Sequence, residues 1–138
     1  IYASCHTACP RIITEAKRAL NSLTPEQRDD VTVVGITLDP ENDDAKTRRM
    51  TAKAHGLKAP EFNFVGGDPD YVNDLLDDFA ISRKKNPETG MIEHANMFIL
   101  IDRQGRIAYR LNLTDRHSNW LKTALKVLVR DGAEADQS

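Results

Sequence analysis

The chain has 138 residues, of which 40% are hydrophobic and 29% charged, and this composition is typical of one soluble domain with a buried core. Its 19 basic and 21 acidic residues are interspersed along the sequence, which argues against nucleic acid as the main partner. No apolar stretch reaches membrane-spanning length, so we expect membrane attachment only through an anchor outside this chain. We predict a single domain over residues 1–131 and a frayed polar tail over residues 132–138.

The first third of the chain carries clear helix and strand signals. A short strand at residues 1–3 precedes apolar residues at helical spacing, which predict an amphipathic helix that ends at Leu23. Residues 24–27 (TPEQ) form a capping box with proline at the first helical position, and so predict a second, short helix. A continuous β-branched run over residues 31–38 predicts a central strand that is covered on both faces.

The middle of the chain adds another helix and another strand. A helix is predicted over residues 42–55, with Asn42 or Asp43 as its cap and Gly56 as its stop. A short strand is predicted over residues 62–65.

The order of the elements indicates the fold class. The remaining predicted elements are a helix over 68–79, a hairpin tip over 84–90, antiparallel strands over 97–101 and 106–111, and a closing helix over 121–128. Strand, helix, strand and helix, followed by hairpins and a last helix, indicate a parallel crossover and then antiparallel strands, with helices on both faces. We therefore predict a thioredoxin-like, three-layer α/β/α fold with a mixed central sheet.

The only two cysteines, Cys5 and Cys9, lie at the predicted junction of strand and helix, just before Pro10. If the chain is helical from about Ala8, both thiols project toward one face at the helix N-terminus, where the dipole favours a thiolate. Such a pair can close into a disulfide or hold one soft metal ion. The alternative is a pair of buried, inert thiols.

Four histidines are candidates for a third metal ligand. His55 and His117 lie near predicted helix ends and are expected on the surface. His6 lies inside the cysteine motif but points away from the cysteine face if the backbone is helical, so it is a candidate tuning group. His94 ends the loop that enters the strand at 97–101, and in a thioredoxin-like sheet this loop approaches the cysteine-bearing helix.

Several separate segments match one known family in the same order. They are Tyr2, Cys5-x-x-x-Cys9-Pro10, Leu38-Asp39-Pro40-Glu41 with Asp43 following, Val65-Gly66-Gly67, and His94 just before Ile99-Leu100-Ile101-Asp102 and Gly105. Over nearly its whole length the chain thus resembles the Sco/SenC family of copper-binding, thioredoxin-fold proteins.

The resemblance implies that Cys5, Cys9 and His94 bind one copper ion, either Cu(I) or Cu(II). It implies that Asp39 is a nearby acid that assists metal loading or partner contact, while the alternative role for Asp39 is to cap the turn with Pro40. It further implies a part in maturing the binuclear copper site of cytochrome c oxidase, by delivering copper or by reducing that site's cysteines. The implied partners are the oxidase's copper subunit or an upstream copper donor. The implied location is the bacterial periplasm, in soluble or membrane-anchored form, or the mitochondrial intermembrane space.

The chain departs from the family pattern at several positions. His6 stands where the family usually has proline, Ala3 where it has threonine, and Glu93 where it has aspartate. The family's N-terminal hairpin and most of its first core strand have no counterpart before Tyr2, so we expect a truncated domain.

Two other activities are open for the same cysteines. A thiol-disulfide oxidoreductase would use Cys5 and Cys9 without metal, although such enzymes normally place two residues between the pair. A peroxidase of the same fold would need a threonine and an arginine around its reactive cysteine, and Ala3 occupies a position where threonine would help.

Overall fold

A computed structural model describes residues 1–113 and 118–135. The helices are α1 (Ala8–Leu20), α2 (Pro25–Asp29), α3 (Ala45–Ala54), α4 (Pro69–Asp78) and α5 (Ser118–Ala135). The strands are β1 (Val33–Ile36), β2 (Phe62–Val65), β3 (Arg83–Lys85), β4 (Ile92–His94), β5 (Met97–Ile101) and β6 (Ile107–Asn112). No helix among the described residues combines the length and the apolar character that a membrane crossing requires.

The chain divides into two compact units. The first unit contains residues 1–13 and 32–95, and the second contains residues 14–31 and the described part of 96–138. The single domain expected over residues 1–131 stays a prediction.

The first unit contains two two-stranded sheets, one formed by β1 and β2 and the other by β3 and β4. Strands β1 and β2 pair in parallel, with Val33 opposite Phe62. On the other edge of β1, the Ile1 nitrogen donates to the Ile36 carbonyl oxygen, and Ile1 in turn accepts from the Leu38 N–H. Strand β1 therefore has backbone partners on both edges, as expected for a central strand, although it is shorter than the predicted run. The expectation that both of its faces are covered is wrong, because Val34 is 54% exposed.

Helices α3 and α4 both begin at an aspartate cap. Asp68, where this helix was predicted to start, caps α4, and Pro69 occupies its first turn. Helix α3 is capped by Asp44, whose side chain accepts from the Thr47 N–H, so the prediction of Asn42 or Asp43 as the cap was wrong. The physical reason is that the Asp43 carboxylate is hydrogen-bonded elsewhere in the first unit.

The predicted hairpin tip connects β3 and β4, which are antiparallel, with Arg83 opposite His94. The Asn86 side chain accepts hydrogen bonds from the N–H groups of Glu88 and Thr89, and so closes the tip as an Asx turn. Gly90 follows with a φ of +70°, a conformation that glycine adopts without strain. This hairpin ends at His94.

The core of the first unit includes both cysteines. Its fully packed members are Tyr2, Cys5, Cys9, Leu38, Val72, Leu76 and Ile92. The two contributions from α4, Val72 and Leu76, are four positions apart and share one helix face. The cysteine pair therefore lies among apolar side chains.

The second unit is formed by the hairpin of β5 and β6 with parts of the helices. Its buried cluster contains Ala19, Leu100, Leu121 and Ala124.

Helix α1 ends at Leu20, before the predicted end at Leu23, and the capping box of α2 is present as predicted. Helix α5 extends to Ala135, so residues 132–135, which were assigned to a frayed tail, are helical. Alanine and glutamate in this segment favour helix.

Candidate metal centre

The cysteine pair lies at the N-terminus of α1, as predicted. Helix α1 begins at Ala8, and the Cys9 backbone N–H donates a hydrogen bond to Cys5 Sγ over 3.3 Å. Cys5 is 6% exposed and Cys9 is 2% exposed, and both are free thiols. Because a helix N-terminus presents unsatisfied N–H groups, the Cys5 sulfur lies where negative charge is stabilised.

The two thiols differ in pKa because Cys9 is the more deeply buried and because hydrogen bonds favour the thiolate of Cys5. Burial acts to raise the pKa of Cys5, but hydrogen bonds from the Cys9 thiol and from backbone N–H groups outweigh it, so its net pKa is lowered. Those N–H groups belong to Cys9, Thr7 and Ala8. Burial, together with the hydrogen bond given to Cys5, raises the pKa of Cys9 to about 12. The favoured ionised form is thus a Cys5 thiolate that accepts a hydrogen bond from the Cys9 thiol.

His94 is the last residue of β4 and is half-buried. Its Nδ1 lies 3.1 Å from the Ala95 carbonyl oxygen. A hydrogen bond to a carbonyl requires a proton on Nδ1, which leaves the lone pair on Nε2 as the metal donor. Burial lowers the pKa of His94, so its ring is neutral at pH 7, and neutral imidazole is the form that binds metals.

Cys5, Cys9 and His94 form a group that can hold a metal ion, because their donor atoms all lie within 4.8 Å of one another. Three donors that are each roughly 2.0–2.3 Å from one ion lie about 3.5–4 Å apart, so an inward movement of about 1 Å would close the donors on one ion. Two sulfurs and one imidazole nitrogen fit copper or zinc and not magnesium or calcium. Over residues 1–113 and 118–135 this is the only group of three such donors.

Asp39, the acid expected near the metal, is 6% exposed and is held by two side chains. Asn42 Nδ2 donates to both of its carboxylate oxygens over 2.9 and 3.0 Å, and Lys85 Nζ donates to Oδ1 over 3.0 Å. The Asp39 carbonyl oxygen accepts from the N–H groups of Asn42 and Asp43. These contacts support the alternative in which Asp39 organises the turn after β1. Its role in metal loading stays a prediction.

A second buried carboxylate, Asp43, supports the cysteine segment. Asp43 Oδ2 accepts from Thr37 Oγ1 over 2.6 Å and from the Ala3 backbone N–H over 3.0 Å. Thr37 is fully buried, and its Oγ1 accepts in turn from the Asp39 N–H. Asp43 thus ties the turn that leads into Cys5 to the end of β1. The sequence predicted Asp43 only as a helix cap, so this role was missed. What could have indicated it is that Asp43 belongs to one of the segments that match the Sco/SenC family.

Tyr2 is a further residue whose role sequence reasoning missed. It is 4% exposed, and its hydroxyl contacts both backbone polar groups of Ile92. Its ring meets the His94 ring edge to face, with centroids 5.9 Å apart and planes at 82°. Burial raises the pKa of Tyr2, so its hydroxyl stays protonated. What could have indicated this role is the position of Tyr2, three residues before the first cysteine.

The other histidines do not join the three donors. His6 is exposed, precedes the first residue of α1 and lies outside the group. His55 is the C-terminal cap of α3. His117 lies outside the described residues.

Comparisons with known proteins show which family the chain is similar to. A family model described as SCO1/SenC matches residues 1–128. A SCO1 protein homolog from Bacillus subtilis (strain 168) is 25% identical over 112 residues, which are 78% of this chain and 56% of that protein. The chain therefore spans little more than half the length of this curated relative.

Solved structures show the same fold. The structure of Bradyrhizobium japonicum ScoI with copper bound is 26% identical, covers 92% of this chain and 80% of its own, and has a TM-score of 0.72. A SCO1/SenC family lipoprotein from Bacillus anthracis str. Ames is 22% identical, with coverages of 92% and 76% and a TM-score of 0.74. The predicted thioredoxin-like α/β fold is confirmed by these likenesses. Because the family model covers nearly the whole sequence, the chain belongs to the SCO1/SenC family.

Proposed function

We propose that this protein carries one copper ion on Cys5, Cys9 and His94, and that it delivers copper to the binuclear copper site of cytochrome c oxidase or reduces that site's cysteines. The observation that carries the proposal is the convergence of three donors within 4.8 Å in a chain whose Bradyrhizobium relative is described with copper bound. Thiolates favour Cu(I), whereas imidazole suits Cu(II).

The donor set also suits transfer of the ion. Three protein donors leave room for a donor from another protein, so the copper can pass to an acceptor by exchange of ligands. The proposed partners are the copper subunit of the oxidase as acceptor and an upstream copper protein as donor. The proposed location is the bacterial periplasm, or the mitochondrial intermembrane space, with any membrane anchor outside residues 1–138. The description of the Bacillus anthracis relative as a lipoprotein supports such anchoring.

A second candidate function is thiol-disulfide exchange without metal. The observation that favours it is the difference in acidity between the thiols, because the pKa of Cys5 is lowered whereas that of Cys9 is raised to about 12. A thiolate beside a protonated thiol is the arrangement of an attacking and a resolving cysteine.

The test of the leading proposal is metal binding by the reduced protein. Wild type should bind one copper ion per chain when loaded with Cu(I) or Cu(II), as measured by metal analysis and visible absorption. Cys5→Ser and Cys9→Ser should each abolish this binding, because one thiolate and one imidazole lack the donor set that selects copper. His6→Ala is the matched control, since His6 is exposed and outside the donor group.

The outcomes separate the two candidates. Undiminished stoichiometric binding in either serine variant would contradict the site assignment. If wild type binds no copper but reduces a disulfide-bonded peptide, and His94→Ala reduces it equally well, the second candidate is correct.

A further inference from the structure

Tyr2 contacts the cysteine pair and the histidine-bearing strand at once. Its backbone carbonyl accepts a hydrogen bond from the Cys5 N–H over 3.2 Å, and its side chain packs in the same buried cluster as Cys5 and Cys9. Its ring lies edge to face against His94, at a separation where such ring pairs attract. One residue thus contacts both the cysteine-bearing segment and His94.

The Tyr2 hydroxyl also hydrogen-bonds the backbone groups of Ile92 that point away from β3. Ile92 faces Lys85 across the hairpin, yet its N–H donates to Tyr2 Oη over 3.3 Å and its carbonyl oxygen lies 3.4 Å from the same atom. In an antiparallel pair, alternate residues direct both backbone groups away from the partner strand. Ile92 is buried, so these two groups need a partner other than water.

A phenol fits this requirement because its oxygen both accepts and donates. The Ile92 N–H supplies a hydrogen bond to the oxygen, while the phenolic proton is directed to the Ile92 carbonyl oxygen. A phenylalanine would keep the ring contact with His94 but would leave two buried backbone groups without this partner.

We propose that Tyr2 is a positioning residue that sets the separation between the cysteine pair and His94, so that the three donors are in place before the metal arrives. This inference rests on the function proposed above, because it assumes that these donors share one ion. The hairpin has a second connection to the first unit through Lys85 and Asp39, but that ion pair lies on β3, whereas Tyr2 acts on the strand that carries the ligand.

A merely structural role for Tyr2 makes a different prediction. If Tyr2 only fills the core, its replacement lowers stability without changing the position of His94 or the spectrum of bound Cu(II). A positioning role changes both, because a ligand that is no longer held in place binds the ion in several geometries.

The experiment compares Tyr2→Phe and Tyr2→Leu with a matched control, Tyr71→Phe. Tyr71 is 69% exposed on α4, so its variant also loses one phenolic hydroxyl but away from the donor group. For each metal-free protein we would measure amide exchange of Ile92 and the NMR signals of the His94 ring. For each copper-loaded protein we would measure stoichiometry, affinity and the paramagnetic resonance spectrum of Cu(II).

Tyr2→Phe should accelerate Ile92 amide exchange and lower Cu(II) affinity about fivefold, the equivalent of one net hydrogen bond. Tyr2→Leu also loses the ring contact and should lower Cu(II) affinity about 10–100-fold, as expected for loss of a residue that orients a ligand. The Cu(II) spectrum should broaden in both variants, and the Cu(I) affinity should change less because both sulfurs remain. Tyr71→Phe should behave as wild type.

The inference is overturned if Tyr2→Phe and Tyr71→Phe match in Ile92 exchange, His94 signals and Cu(II) spectrum. Tyr2→Phe decides the question even if Tyr2→Leu does not fold. Failure of the proposed function has another signature. In that case wild type itself binds no copper, while the metal-free exchange and NMR measurements still report whether Tyr2 positions His94.

Discussion

Alkylation of the reduced, metal-free protein should label Cys5 far faster than Cys9. At pH 8.0 a thiol with a pKa of about 12 is ionised in about one molecule in 10⁴, whereas a thiol with a pKa below 9.0 is ionised in more than about one in ten. The thiolate is the nucleophile, but a thiolate of higher pKa is also more reactive, which offsets about 20–30-fold of the difference, so Cys5 should still react roughly 30-fold faster or more. The exposed fractions, 6% for Cys5 and 2% for Cys9, act in the same direction.

The assay is a time course with iodoacetamide followed by mass spectrometry of the peptide. Cys9→Ser reports on Cys5 alone, and its serine hydroxyl can still donate to the Cys5 sulfur. Cys5→Ser reports on Cys9 alone. The Cys5 rate should rise with pH and level off at a lower pH than the rate of an ordinary thiol, because its pKa is lowered. The Cys9 rate should still be rising at pH 10, because its pKa is raised.

Two results would refute this reasoning. The first is equal labelling rates for Cys5→Ser and Cys9→Ser at pH 8.0. The second is label on Cys9 before Cys5 in wild type. Either result would mean that the hydrogen bonds at the N-terminus of α1 do not favour the Cys5 thiolate.

Four further predictions concern the metal and its surroundings. His94→Ala should keep much of the Cu(I) affinity but lose stable Cu(II), measured by paramagnetic resonance, because Cu(II) prefers nitrogen donors; unchanged Cu(II) binding would exclude His94 as a ligand. Mild oxidation should remove two hydrogens within one cysteine peptide and stop copper uptake, since a disulfide is no thiolate donor; free thiols that persist would contradict this. Asp39→Ala should slow copper transfer in a folded protein, and equal transfer rates would favour its turn role. Asp43→Ala should lower the free energy of unfolding in urea by about 3 kcal/mol, because two buried donors lose a charged acceptor; a change below about 1 kcal/mol would contradict the assigned hydrogen bonds.

Local signals predicted the elements that depend on local sequence. Strands β2 and β5 begin and end where predicted, because each is a short apolar run bounded by turn residues. The sequence also predicted the capping box of α2, because its two reciprocal hydrogen bonds join Thr24 and Gln27, which are only three positions apart. The resemblance to a family then supplied the three candidate donors, which local pattern alone had left open.

Tertiary contacts decided the rest. Asp43 and Asp44 are equally good caps by residue type. The Asp43 carboxylate already accepts hydrogen bonds from Thr37 and Ala3, so the cap of α3 is Asp44, one residue later. The contacts of Tyr2 with Ile92 join positions 90 apart, and no periodicity or spacing rule reports such a pair. Those contacts position the candidate ligand, which is why the donors were predictable and their support was not.

The separation of the donors along the chain has a consequence for the order of folding and metal capture. Positions 5 and 9 belong to one helix end, but position 94 joins them only when a loop of more than 80 residues has closed, and such closure costs entropy before any contact repays it. A partly folded chain therefore presents two sulfurs without the imidazole. Capture of copper by the complete donor set would mark a molecule whose first unit has finished folding.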